Sequence, residues 1–104
     1  MQNLVQLSKV FSDQNRVNIL TLVLRDKEVC VCEICDTLEL LQPLVSRHLK
    51  QMKKENILKS TKKGKWVHYS LTDEPSSFLQ CYINEIKSKN INLASLVVCA
   101  SKID

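Results

Sequence analysis

Residues 42–71 read QPLVSRHLKQMKKENILKSTKKGKWVHYSL, and the sequence changes character partway along them. In the first part Val45, Leu49, Met52 and Ile57 recur at the three- and four-residue spacing of one helix face. Pro43 suits the first turn of such a helix, where its missing N–H breaks no hydrogen bond. The second part alternates instead. LKST and WVHYSL contain β-branched and aromatic residues that favour strand, and they flank KKGK, which holds the only glycine of the chain, Gly64. The pattern predicts a helix followed by a β-hairpin whose turn needs positive φ.

The same segment concentrates the charge. Residues 47–65 hold eight lysines and arginines against one glutamate, Glu55, which exceeds the net charge of +4 of the whole chain. A local basic patch of this kind is the electrostatic footprint of a polyanionic partner.

Working outward, the chain has few helix breakers: one glycine and two prolines, Pro43 and Pro75, in 104 residues. Residues 2–10 form a short amphipathic helix. Ser12 or Asp13 can cap a second one, whose Val17, Ile19, Leu20, Leu22, Val23 and Leu24 mark it as the buried centre. Val31, Ile34 and Leu38 are spaced like a helix face, and residues 39–41 break the pattern before Gln42. After Pro75 a long helix carries Leu79, Ile86, Leu93 and Ala100 at seven-residue intervals, widened by Tyr82, Ile83, Leu96 and Val97.

The order is therefore helix, helix, short helix, turn, basic helix, basic hairpin, helix. A short helix, a three-residue turn and a helix opening QPLVSRHL make a helix-turn-helix. The expected fold is mainly α with a small β-hairpin wing, a winged helix-turn-helix forming one domain over residues 1–104 and pairing as a homodimer through a terminal helix at about 75–100. The second helix of the motif would enter the major groove of DNA by its N-terminal residues. Gln42, Ser46, Arg47 and His48 lie there, able to exchange hydrogen bonds with bases or phosphates. Lys50, Lys53 and Lys54 continue the basic face, and Lys62, Lys63 and Lys65 tip the wing over the flanking backbone. Trp66 and Tyr69 are expected to anchor the wing to the core, and His68 to serve DNA contact or hairpin packing. The apolar stripe of the terminal helix, with Leu79, Ile83, Ile86, Leu93 and Val97, is the expected contact between subunits.

EVCVCEIC, residues 28–35, places Cys30, Cys32 and Cys35 within six positions. MQNLVQLSKVFSD carries polar residues throughout, unlike a secretory leader, and no apolar stretch is long enough to span a bilayer. A cytoplasmic location is expected, with no membrane partner, and there clustered cysteines favour metal binding or redox chemistry over structural disulfides. On an ideal helix Cys32 and Cys35 lie about 60° apart and one turn along, so their sulfurs can converge. Cys30 points about 200° from Cys32 and joins only if the helix starts after it or its first turn opens. A ligand that gathers all three would then distort the helix supporting the recognition helix. No fourth cysteine or histidine is near in sequence to complete a tetrahedral zinc site. Three soft thiolates suit a trivalent, three-coordinate, pyramidal ion such as As(III) or Sb(III), whose charge they cancel. Cys81 and Cys99 are isolated on the last helix and are expected to be small buried apolar residues.

The chain resembles the ArsR/SmtB family of winged helix-turn-helix repressors over roughly residues 4–90. SDQNRVNIL, QPLVSRHLKQMKKENIL and GKWVHYSL carry the resemblance, and EVCVCEIC is similar to the ELCVCDLC metal box of the arsenic-responsive branch. Leu41 and Leu44 depart from it, since family members often carry small polar or basic residues there. The resemblance implies a homodimer that forms through the first and last helices, which adds Leu4 and Leu7 to the interface, and that represses its own operon until a metalloid binds. Its implied partners are double-stranded operator DNA, palindromic to match the dimer, and a second copy of the chain. The family's cadmium and lead sensors add cysteine from an N-terminal arm, and residues 1–29 contain none. Its zinc sensors use Asp and His on the last helix, and residues 75–104 contain no histidine. A thiol-oxidation switch on the same fold, or a sensor of soft divalent metals, is the alternative. No phosphate-cradling glycine loop or activated nucleophile points to an enzyme, and an intact helix-turn-helix with a wing argues against a passive metal buffer.

Overall fold

A computed structural model of the chain describes residues 4–89. Its elements are α1 (Leu4–Val10), α2 (Gln14–Asp26), β1 (Glu28–Cys30), α3 (Val31–Leu38), α4 (Gln42–Lys54), β2 (Leu58–Lys63), β3 (Trp66–Leu71) and α5 (Ser77–Lys89). Five helices thus surround a small antiparallel sheet of order β1-β3-β2. Among the described residues no helix is long and apolar enough to cross a membrane.

Local chemistry explains most boundaries. Asp13 caps α2, its Oδ1 accepting the Asn15 amide at 2.8 Å, and Ser76 Oγ accepts the Leu79 amide at 3.2 Å to start α5. Pro43 sits in the first turn of α4. Glu39 ends α3 in the left-handed region, φ 55° and ψ 49°, returning its amide to the Cys35 carbonyl. The wing closes as expected. Lys63 pairs with Trp66 across a two-residue turn, and Gly64 takes φ +63° there. A Cβ on Gly64 would meet nothing within 4 Å, so the backbone angle alone calls for glycine.

The core forms where α2 crosses the helix-turn-helix and the sheet. Ile19, Leu20, Val23, Val29, Ile34, Val45, Leu49, Met52, Ile57 and Leu58 are buried together. Tyr69 packs against this cluster from the wing; Trp66, at the far end of the hairpin, is half-buried and lies outside it. The α5 helix closes the other side through Leu79, Ile83 and Ile86, and Tyr82 stacks on Phe11 with ring centroids 4.2 Å apart.

Three expectations are corrected. First, residues 28–30 are a strand, pairing Glu28 with Ser70, Val29 with Tyr69 and Cys30 with His68, so the sheet has three strands and not a hairpin alone. Val29 is fully buried in the core. Second, Leu7, Leu79, Ile83 and Ile86 belong to the core of their own chain, each at most 6% exposed, and are not available as a contact for a partner subunit. Leu4 does stay open, at 59%, beside Val5 at 63%; Leu93 and Val97 lie outside the described residues. Third, Cys81 is exposed on α5 and not a buried apolar filler. Cys99 lies outside the described residues.

Candidate nucleic-acid interface and thiol cluster

The outer face of α4 presents Gln42, Ser46, Arg47, Lys50, Lys53 and Lys54, all exposed. Val45, Leu49 and Met52 take the opposite face into the core, so the helix is held by one side and offers the other. Lys62 and Lys65 are exposed at the end of the wing. Lys63 is exposed as well, but its Nζ is 2.6 Å from Glu28 Oε1. The same carboxylate oxygen lies 3.3 Å from His68 Nδ1, so His68 joins the packing of the hairpin on β1.

His48 does not join the outer face, and the base contact expected of it is withdrawn. It is 4% exposed, on the edge of α4 turned toward α2. Its Nδ1 accepts a hydrogen bond from Arg16 Nε at 2.9 Å. Since that nitrogen accepts, the neutral ring carries its proton on Nε2, which lies 4.0 Å from Asp13 Oδ2 without a hydrogen-bond partner among the described residues. Burial pushes the His48 pKa below its ordinary value; Asp13 opposes that shift, and Arg16 and Arg47 add to it. His48 therefore ties the recognition helix to the start of α2. The spacing of α4 placed it one step from the core face, and that was the available signal. Arg16, its partner 32 residues away, had none.

The cysteines meet at the junction of β1 and α3. Cys30 is the N-cap of α3 in extended conformation, φ −98° and ψ 165°. The helix begins after it, so the 200° separation expected from ideal helix geometry does not arise. Cys30 Sγ instead lies 3.2 Å from Cys32 Sγ. Glu33, buried at 5% exposure, accepts the Cys30 amide at 2.9 Å, and the Cys30 side chain completes a capping box toward the Glu33 amide. Cys35 lies one turn further along α3, half-buried against the core. Burial raises its thiol pKa, with smaller contributions in the same direction from Asp36 and Cys30. Neither Cys30 nor Cys35 is in a disulfide. Cys32 is disulfide-bonded, so any thiolate chemistry of the full cluster belongs to the reduced chain. Among the described residues no three His, Cys, Asp or Glu side chains are already grouped to hold a metal ion. The structure thus brings Cys30 and Cys32 together and places Cys35 one turn along α3.

A basic recognition helix held by its apolar face, a short helix before it and a basic β-hairpin after it define the class of winged helix-turn-helix proteins. Residues 13–60 match the family model described as bacterial regulatory protein, arsR family. The chain is 37% identical over 81 residues to the arsenical resistance operon repressor of Escherichia coli K12, covering 78% of this chain and 69% of that one. It is 37% identical over 82 residues to the arsenic resistance transcriptional regulator ArsR1 of Pseudomonas putida KT2440, covering 79% and 64% respectively. In structure it is similar to HlyU from Vibrio cholerae, with a TM-score of 0.71, 28% identity, and coverage of 82% of this chain and 88% of the other. The chain belongs to the arsR family of bacterial regulatory proteins. It spans about two thirds of the length of the two curated relatives.

Proposed function

We propose that this chain is a transcriptional repressor that binds palindromic operator DNA as a homodimer and releases it when As(III) or Sb(III) binds Cys30, Cys32 and Cys35. It acts by binding and not by turnover. The observation that carries the reading is the approach of Cys30 and Cys32 to 3.2 Å at the start of α3, the helix that packs on the recognition helix α4. The arsenic-resistance relatives support the choice of ligand.

Ligand count favours a pyramidal ion over zinc. Structural zinc takes four ligands in a tetrahedron, whereas residues 28–35 offer three cysteines and no histidine. Three soft thiolates suit a three-coordinate, thiophilic ion.

Release follows from two local demands. A ligand on Cys30 takes its sulfur away from the capping box at the start of α3. Recruiting Cys35 pulls a half-buried side chain off the core. Both act on the helix that sets the position of α4. By linkage, whatever metalloid takes from DNA affinity, DNA takes from metalloid affinity.

The test is X-ray absorption on arsenite-loaded reduced protein together with Cys32→Ser and Cys35→Ser. Three sulfur neighbours are expected in the native chain, and each variant should keep DNA binding while losing arsenite-driven release. Release that survives in both variants would place the sensor elsewhere. A thiol-oxidation trigger is the second reading, favoured by three cysteines within six positions, two of them with sulfurs 3.2 Å apart. Under strong reductant that reading expects arsenite to have no effect.

A further inference from the structure

Leu41 breaks two preferences at once. It is the N-cap of α4, φ −73° and ψ 142°, and no side chain caps the helix, although this position favours Ser, Thr, Asp or Asn for their acceptor oxygen. It is also 78% exposed, more than any other large hydrophobic among the described residues. A single exposed leucine is ordinary. One that also displaces a cap goes against local stability twice, and such departures concentrate at functional positions. Pro43, exposed, and Leu44, half-buried, extend the apolar surface across the first turn.

Its surroundings identify the occupant. Gln42, Ser46, Arg47 and Lys50 are exposed on the same helix, and Lys62 and Lys65 on the wing. An apolar tip set in a basic, hydrogen-bonding face fits a polyanion better than an apolar protein surface. A recognition helix enters the major groove by its N-terminal end. There the apolar group that base pairs present is the C5-methyl of thymine.

We propose that Leu41 reads thymine methyl groups in the major groove of the operator. The inference rests on the DNA-binding part of the reading above and is independent of the metalloid part.

The experiment uses a duplex that the full reduced chain selects from a random-sequence pool. Each thymine is then replaced by uracil, which keeps base pairing and removes only the methyl. One or two positions per half-site should lose affinity, about fourfold each, the scale of one buried methyl. In Leu41→Ser the thymine and uracil duplexes should bind equally at those positions. That variant should also melt at a higher temperature than the native chain, because serine caps α4. A structural role for Leu41 would lower the melting temperature and leave the uracil penalty intact, so the two roles part in opposite directions. Native protein indifferent to every uracil overturns the inference, as does a penalty retained by Leu41→Ser; in both cases DNA binding itself stands. Selection of no duplex at all would overturn the DNA-binding reading and this inference with it.

Discussion

His48 shows how one side chain can look like a DNA contact in sequence and be a joint in the structure. It lies between Arg47 and Leu49, at the boundary between the outer and inner faces of α4, and the boundary falls on the inner side. Its depressed pKa has a consequence for stability. The unfolded histidine takes up a proton near 6.5, whereas the folded one, held neutral mainly by burial, does so at lower pH. Between those two values the unfolded chain binds more protons, so stability falls as pH falls. The stabilisation is fully present above about 6.5 and is lost on acidification below it. His48→Gln should flatten the dependence of urea midpoint on pH between 7 and 5, while lowering the midpoint at pH 7 by loss of the Arg16 contact. An unchanged slope would show that another group carries it. The cysteines teach the converse. Their spacing was legible, and so was the condition for Cys30 to approach Cys32, a helix that starts after it; whether that condition holds was not, because it depends on Cys30 lying in a strand. That strand exists only because Tyr69 and His68, some 40 residues on, are there to pair with it, and no local periodicity of three residues can report a partner at that distance.

At the scale of elements, α2, α4 and the wing follow directly from residue chemistry. Periodicity placed Val45, Leu49 and Met52 inward, Asp13 and Pro43 marked the helix starts, and Gly64 marked the turn. The helix-turn-helix turn is less ordinary. Glu39 occupies the left-handed region at φ 55°, where a side chain costs about 1 kcal/mol that glycine avoids. Glu39→Gly should therefore raise stability by a few tenths to about 1 kcal/mol, the gain being offset in part by the entropy of glycine in the unfolded chain. A thermal or urea midpoint checks it, and a drop of more than about 0.5 kcal/mol would mean that the Glu39 side chain makes a contact worth more than the backbone strain. The same turn sets α3 against α4. A change in the first turn of α3 therefore has a short mechanical route to the recognition helix.

At the scale of the whole molecule, most of the apolar stripe on α5 is spent inside the chain. Sequence periodicity reports that a face is apolar, not whether its cover comes from the same subunit. Tyr82 on Phe11 and Ile83 and Ile86 in the core show that α5 within residues 77–89 is a structural lid. Among the described residues α1 carries open apolar surface, with Leu4 and Val5 mostly exposed. If the chain pairs through its first helix, Leu4→Glu combined with Val5→Glu should weaken self-association by at least tenfold in sedimentation equilibrium, with little effect on the fold of the monomer. Unaltered association would move the interface off α1. Charge is also a property of the whole. The basic face of α4 and the wing should make DNA affinity fall steeply with salt, by a slope close to the number of phosphates engaged.

In the proposed mechanism thiol capture and DNA binding oppose one another through α3. The decisive measurement is the affinity of the protein for one selected duplex, under strong reductant and at fixed salt, with and without saturating arsenite. The loaded form should bind about 5- to 150-fold more weakly, the usual range of coupling between two sites. Equal affinity in the loaded and empty forms would contradict it.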